Sequence, residues 1–587
     1  MLPATDGMPP AASLEAHAMP KPEEASPASP TDPDRRGIMT GAALATGLAL
    51  CPASASLADA KTPAPDPANP EISTDPAQVT ARTASGRLRG YRKGRVTIFK
   101  GVPYAAPTGG ANRFRPPRPV APWQGVRSAL HYGPIAPQDK GTGRLNDEEA
   151  FIFRWNDAVE DEDCLRLNIW TPGLYDARRP VLVWLHGGGF AAGSGHDIPA
   201  FDGENLARTG DAVVVTLNHR LNLLGFLDLS SWGEGFEDSG NVGMLDIVAA
   251  LAWVRDNIAR FGGDPDRVTI FGQSGGGAKV TALMAMPPAR GLFHRAAILS
   301  GSFAMFNTPD RSARLSALLL AQLGIARGDI AALQALPYAA LRVAAETVAA
   351  RINPGFDGFI DVRRIAQMLN FAPVVDGRNI LPTPGAPGVP LTDPKVPLII
   401  GSTLNEFVTG INQPEVEAMT EQGLHARAER FAPGRGDAIV RAFRAANPDA
   451  SAFDLWSRIA TAPIRQAVID QAARRIAADA APTYLYWFTW ATPILEGRPR
   501  SFHCLDIPFW FDNAASCASM TGGGSAARAL AKQMSQALVA FAATGVPSAS
   551  ALPVWQPVTA GAFPSLRLDT GPRMIAEIDA AERASLK

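Results

Sequence analysis

Cysteine is scarce in this chain. Four residues in 587 cannot make the disulfide framework of a small secreted scaffold. An excess of charge of either sign is also missing. Lys and Arg number 55, Asp and Glu 56, so neither nucleic acid nor an anionic surface is implied as a partner. Beyond the first 60 residues no apolar run reaches the length of about 18 that a membrane span needs. No internal repeat is present, which excludes solenoids and propellers. His, Cys and carboxylates do not cluster at metal-ligand spacing, so no metal is expected. The chemistry read below requires no cofactor.

The first 60 residues read as a leader. Residues 1–34 are rich in Pro, Ala and Ser and lack apolar periodicity, the composition of a disordered segment. Arg35 and Arg36 then precede an apolar stretch that ends at Cys51. It spans about 17 residues and is too short and too weakly hydrophobic for a stable span. Ala53-Ser-Ala55 and Ala58-Asp-Ala60 are small-residue cleavage candidates. Together they read as a twin-arginine export signal, implying a periplasmic or secreted protein. Leu50 before Cys51 is bulky where lipidation needs a small residue. Residues 61–78, with Pro at 63, 65, 67, 70 and 76, read as an extended linker. The main domain is expected over 79–587.

What the chain does have is a strand, a hard turn and a helix around Ser274. The β-rich run Val268-Thr-Ile-Phe271 leads into Gly272-Gln-Ser-Gly-Gly276, and the helix-like Ala278-Lys-Val-Thr-Ala-Leu-Met-Ala-Met286 follows. That is a G-x-S-x-G nucleophile elbow. It puts an exposed hydroxyl at a helix N-terminus, where positive partial charge accumulates. A second element fits it. Val181-Leu-Val-Trp-Leu185 is apolar throughout, as in a strand buried on both faces, and it runs into His186-Gly-Gly-Gly-Phe190. This is the HGGG loop that offers backbone N–H groups to an oxyanion. No G-K-[ST] follows, which argues against a phosphate loop.

With both motifs in place, the chain resembles the type-B carboxylesterases of the α/β-hydrolase fold, the group that also holds the cholinesterases. The resemblance runs over about residues 79–557. Its stretches include Phe99-Lys-Gly-Val-Pro-Tyr-Ala-Ala-Pro107, Glu162-Asp-Cys-Leu-Arg-Leu-Asn-Ile-Trp170, Gly240-Asn-Val-Gly-Met-Leu-Asp246 and Trp253-Val-Arg-Asp-Asn-Ile-Ala-Arg-Phe-Gly-Gly-Asp-Pro265. Gln273 and Gly275-Gly-Gly277 resemble a bacterial branch. The resemblance implies a central, mostly parallel sheet flanked by helices, with small antiparallel strands over 82–99. Chain stretches 315–352 and 424–480 are expected as helices over the site's mouth. It also implies one elaborated domain, although the chain exceeds the usual single-core size.

The family order places the acid after the nucleophile and the histidine last. His294, His425 and His503 follow Ser274. His294 sits just past the elbow helix and reads as structural. His425 lies in a polar helical stretch and reads as a solvated face. His503 opens His503-Cys-Leu-Asp-Ile-Pro-Phe-Trp-Phe511, which matches the family's histidine loop. Glu406 follows the buried-strand run Val396-Pro-Leu-Ile-Ile400, where the family carries its acid. The competing carboxylate is Asp376. The resemblance thus implies a catalytic set of Ser274, Glu406 and His503, with an oxyanion hole from the N–H groups of Gly188, Gly189 and Gly275.

Departures from the family bear on specificity. Gln273 stands where cholinesterase-like members carry Glu, which removes a carboxylate that would hold a cation. Trp155 lies near the choline-stacking position of that group but reads as core. Gly275 replaces the usual Ala, and Phe407 replaces a usual Gly after the acid. Ala136 stands where the early disulfide partner of Cys164 would lie, so Cys164 is expected as a free buried thiol. Cys504 and Cys517 are open to pairing or not.

The expected function is a serine hydrolase that cleaves small to medium, uncharged carboxylic esters through an acyl-enzyme. Carbamate or anilide hydrolysis by the same set is the alternative, and a non-catalytic binding protein of this fold a more remote one. The expected partner is a small-molecule substrate, with no nucleic acid and no membrane span in the mature chain. The export reading has its own test. Arg35→Lys with Arg36→Lys should hold precursor in the cytoplasm, and mature protein should begin near Ser56 or Lys61; unchanged export of the double variant would contradict it.

Overall fold

The computed structural model describes residues 71–138, 147–175, 177–302, 306–352, 370–384 and 386–586. The expected leader, with Arg35, Arg36 and Cys51, and the first part of the expected linker lie outside these residues. From Ile72 onward the expected linker belongs to the fold. Ile72–Ser73 pairs antiparallel with Tyr91–Lys93. Asp75 then caps the short helix Pro76–Val79 by accepting from Ala77 N–H, with Pro76 at the first turn, where its missing N–H costs nothing.

The scaffold among the described residues is a twelve-stranded mixed sheet. Its middle is parallel: Val213–Leu217, Arg179–Leu185, Gly263–Gln273, Arg295–Leu299, Leu398–Thr403, Thr483–Phe488 and Ser565–Leu568 lie side by side in that order. Antiparallel pairs close both ends, through Val96–Pro103 and Arg166–Thr171 on one side and Arg573–Ile575 on the other. The small N-terminal sheet is itself mixed. Thr80–Arg82 and Arg87–Arg89 are antiparallel, but Val126–Ser128 joins the latter in parallel.

Parallel strands covered by helices must be apolar on both faces, and these are. Val181, Val183 and Leu185 point into one core cluster, while Leu182 and Trp184 point into the other. Val213, Val215 and Leu217 alternate with Val214 in the same way. The period of two along a strand therefore divides the core between the two faces of the sheet. The expected helical stretches form Pro309–Leu323, Ile330–Ala335 and Tyr338–Ile352, and Glu421–Phe431, Gly436–Ala446 and Ala452–Ala477. Each group packs a satellite apolar cluster of its own. Among the described residues no helix is long and apolar enough to cross a membrane.

One buried ion pair fixes the loop after Val213–Leu217. Arg220 grips Asp246 with its Nε (2.8 Å) and Nη2 (2.6 Å), and its own N–H adds a third bond to Asp246. Both side chains are buried. A charge so placed is tolerable only because it is paired and hydrogen-bonded.

Candidate active site

Parallel neighbours deliver their C-terminal ends to one edge of the sheet, where open α/β sheets bind ligands. Four of the five strands from Arg179–Leu185 to Thr483–Phe488 do so here, with Arg295–Leu299 between the second and third. Arg179–Leu185 runs into the triple-glycine loop, Gly263–Gln273 into Ser274, Leu398–Thr403 into Glu406, and Thr483–Phe488 into the segment that carries His503. The sequence elements that looked separate along the chain are adjacent because of this order.

The elbow is strained as its motif requires. Ser274 has φ 57° and ψ −124°, a region that a residue with a side chain rarely occupies. It is held there by its N–H to Leu299 C=O (2.8 Å) and its C=O to Ala278 N–H (3.1 Å). The glycines around it leave no room for side chains. A Cβ on Gly276 would lie 2.0 Å from the Leu185 carbonyl oxygen, and one on Gly272 would lie 2.5 Å from Gly276 C. Helix Gly275–Met284 thus starts against the strand ends, and Ser274 sits at its positive end.

The three glycines expected to serve an oxyanion meet at the same point. Gly188 and Gly189 have φ 77° and 62°, conformations that glycine adopts freely. Gly275 opens the helix, so its N–H lacks an intrahelical acceptor. Among the described residues the N–H groups of Gly188 and Gly189 donate to no protein group. Gly275 lies so near that a Cβ on it would come within 2.2 Å of Gly189 O and 2.5 Å of Gly189 N and Cα.

Glu406 and His503, the expected acid and base, are bonded to each other. His503 Nδ1 lies 2.5 Å from Glu406 Oε2. Glu406 is fully buried and has φ 46°. Its second oxygen accepts from Thr403 N–H (2.9 Å), and its own N–H donates to Thr403 Oγ1 (3.2 Å). The two loops are tied by main-chain bonds, His503 N–H to Glu406 C=O (2.8 Å) and Asn405 N–H to Ser501 C=O (3.0 Å). Helix Ala452–Ala477 props them from behind, with Ser457 accepting from the Asn405 amide and Thr461 donating to Leu404 C=O. Phe407, the departure from the family's glycine, packs its ring on the imidazole at a centroid distance of 3.9 Å.

His503 is not hydrogen-bonded to Ser274 in this arrangement. The Gln273 amide nitrogen instead lies over the ring, 3.0 Å from its Nε2 and 3.3 Å from its Nδ1. The Gln273 oxygen accepts from the Cys504 thiol at 3.2 Å, which sets the amide's orientation. With Nδ1–H directed at Glu406, the in-plane Nε2 lone pair points away from the amide, which lies over the ring. The residue before Ser274 therefore packs its amide on the imidazole expected to act as base. Nothing in the sequence announced this contact: Gln273 was legible only as a missing carboxylate.

The competing candidates are accounted for. Asp376 accepts from the N–H groups of Arg378, Asn379 and Ile380 and from the amides of Asn379 and Asn241, a turn-stabilising carboxylate. His294 Nδ1 accepts from Val268 N–H, and His425 pairs with Asp437 at the surface. Trp155 stacks on Phe153, which in turn packs edge-on against Phe502, so it is part of the second core cluster's rim. Cys164, Cys504 and Cys517 are free thiols. Burial pushes the Cys517 thiol up to about 12 and also raises those of Cys164 and Cys504 well above the ordinary thiol range. Among the described residues no group of three His, Cys or carboxylates is placed to hold a metal.

Fold and site define an α/β hydrolase with a serine elbow. The comparisons with known proteins give the family. The sequence matches the profile of the carboxylesterase family over residues 75–585. It is 34% identical over 485 residues to para-nitrobenzyl esterase of Bacillus subtilis, covering 80% of this chain and 91% of the relative. It is 35% identical over 489 residues to phenmedipham hydrolase of Pseudarthrobacter oxydans, covering 81% and 92%. The crystal structure of a Geobacillus stearothermophilus carboxylesterase superposes with a TM-score of 0.70 at 34% identity, over 87% of this chain and all of that one. The chain belongs to the carboxylesterase family, and it is a carboxylic ester hydrolase.

The contact between Gly275 and Gly189 generates a prediction. Gly275→Ala restores the family's usual residue, yet its methyl would have to push the Gly189 main chain away. If that N–H serves the oxyanion, kcat should fall roughly 10²–10³-fold, the cost of losing one such donor, with the melting temperature little changed. Wild-type kcat in the variant would show that the loop gives way freely.

Proposed function

We propose that Ser274 is the nucleophile, His503 the general base and acid, and Glu406 its orienting carboxylate. The observation that carries this reading is the 2.5 Å bond between His503 Nδ1 and a fully buried Glu406, at the same sheet edge as a serine held in an elbow, with the strand Arg295–Leu299 between. A serine hydroxyl is a weak nucleophile until a base takes its proton. The His503 Nε2 lone pair is that base once it accepts from the Ser274 hydroxyl. Glu406 keeps the imidazole in the tautomer with its proton on Nδ1 and stabilises the imidazolium that forms.

Attack on the ester carbonyl gives a tetrahedral intermediate whose oxyanion accepts from the N–H groups of Gly188, Gly189 and Gly275. Collapse breaks the carbon–oxygen bond to the alcohol, and His503 gives that oxygen the proton it took from Ser274. Water then attacks the acyl-Ser274 ester with His503 again as base. The acid leaves and the serine regains its proton. Main-chain donors of this kind act where charge develops, and each contributes about 2.7–4 kcal/mol to the transition state.

The substrates are uncharged esters of small to medium size. Gln273 supports this, because a carboxylate in its place would attract a cation with about 4 kcal/mol at 4 Å and an effective dielectric near 20, whereas an amide offers only a dipole. A neutral butyryl thioester should therefore have a higher kcat/KM than butyrylthiocholine. The reverse order would mean that another group builds a cation site.

The triad assignment is tested with conservative variants. Ser274→Ala and His503→Ala should lose turnover on p-nitrophenyl butyrate to about the same extent, because such residues act as a unit. Glu406→Gln should lose about 10⁴-fold through the wrong tautomer. A crippled Asp376→Asn with an active Glu406→Gln would reverse the choice of acid. Running p-nitrophenyl carbamates and anilides beside the esters settles which acyl group the pocket accepts.

A further inference from the structure

Lys279 lies in the fifth position of the elbow helix and is fully buried. Among the described residues no carboxylate pairs with it. Its Nζ donates to the carbonyl oxygens of His186 (2.8 Å) and Gly187 (3.4 Å), and it stands 5.6 Å from the centre of the Phe190 ring, within cation–π range. The titratable groups that face it are His186 and His219, whose stacked rings lie 5.0 Å apart. Both imidazoles are held well below their ordinary range by burial first and by the nearby Lys279 charge next. Burial also lowers the Lys279 ammonium to about 7.

A buried cation without a counter-ion is costly, and a methionine of similar length would fill the space more cheaply. What the ammonium does that methionine cannot is hold two successive carbonyls of the triple-glycine loop. A peptide is planar and trans, so its C=O and the following N–H point to opposite sides. Fixing the Gly187 carbonyl toward Lys279 turns the Gly188 N–H to the other side of the loop. His186 adds to this, since its Nδ1–H also donates to Gly187 C=O at 3.0 Å. Triple glycine has the greatest backbone freedom of any sequence, so its peptide planes need an external hold. The side chain that supplies it comes from the same helix whose first N–H, at Gly275, completes the donor set.

We infer that Lys279 is a positioning residue of the oxyanion hole, which aims the Gly188 N–H by anchoring the His186 and Gly187 carbonyls from beneath. The inference rests on the proposed reading of Ser274 and the glycine N–H groups. It makes Lys279 act through the loop and not by touching substrate, so its removal affects charge stabilisation and not ground-state binding.

The experiment compares wild type, Lys279→Met and Lys279→Gln, which keeps one donor. The measurements are steady-state hydrolysis of p-nitrophenyl butyrate and inhibition by an alkyl trifluoromethyl ketone, whose hemiketal places an oxyanion on the nucleophile. A non-fluorinated ketone of the same length serves as control. In Lys279→Met, kcat should fall 10- to 100-fold with KM within about twofold. Affinity for the trifluoromethyl ketone should fall by the same factor, and that for the plain ketone should be unchanged. Lys279→Gln should recover part of both losses. Wild-type kcat and inhibitor affinity in a folded Lys279→Met, or a loss shared equally by both ketones, would overturn the inference. A readout on the wild-type enzyme covers variants that do not fold. The ¹⁵N signal of the Lys279 Nζ should shift when the trifluoromethyl ketone binds and stay in place with the plain ketone; an unmoved signal in both overturns it. If wild type itself forms no hemiketal at Ser274, the reading of the site fails first, and the two failures are told apart.

Discussion

The close approach of three backbone segments governs this structure. The end of the strand Arg179–Leu185, the end of Gly263–Gln273 and the start of the helix Gly275–Met284 touch main chain to main chain. A single added methyl at Gly276 would fall 2.0 Å from the Leu185 carbonyl, and one at Gly275 would fall 2.2 Å from Gly189 O. Interiors of this density do not absorb even one methylene without displacement. The contact sets the serine's strained backbone, brings the N–H of Gly275 to those of Gly188 and Gly189, and directs the positive end of the helix to the same point. Position, charge and strain at Ser274 all follow from one packing constraint, which this chain meets with glycine.

Glu406 and His503 depend on a different constraint, the order of parallel strands. Glu406 and His503 are 97 residues apart in the chain. They meet because Leu398–Thr403 and Thr483–Phe488 are parallel neighbours whose outgoing loops bond to each other through Glu406 C=O and Asn405 N–H. Burial then sharpens the pair. Inside a low dielectric the carboxylate has no water to turn to, so its two oxygens are committed to Thr403 N–H and His503 Nδ1.

Much of this was legible in the sequence, for identifiable reasons. Glycine spacing around Ser274, the apolar run before His186 and the composition of the His503 loop each encode a local backbone need, and local needs leave local signals. The parallel centre of the sheet was legible through strands apolar on both faces. The edges were not. The parallel partner of Arg87–Arg89 and the entry of Ile72–Ser73 into the large sheet depend on pairings between short segments with no distinctive pattern. The side-chain network at the site was equally silent. Gln273 reaching His503, Cys504 reaching Gln273, and Phe407 lying on the imidazole are tertiary contacts between residues that look unremarkable singly. Lys279 was the one case with an unread signal, a lone cation inside an otherwise apolar and glycine-rich helix.

The central claim is that ester cleavage passes through a covalent acyl group on Ser274. Intact-mass spectrometry of the enzyme quenched during turnover of a slowly deacylating p-nitrophenyl ester tests it most directly. The account predicts one acyl adduct per chain, mapped by peptide digestion to Ser274 and absent from Ser274→Ala. Steady turnover with no adduct under conditions where deacylation limits the rate, or an adduct on another residue, would contradict it.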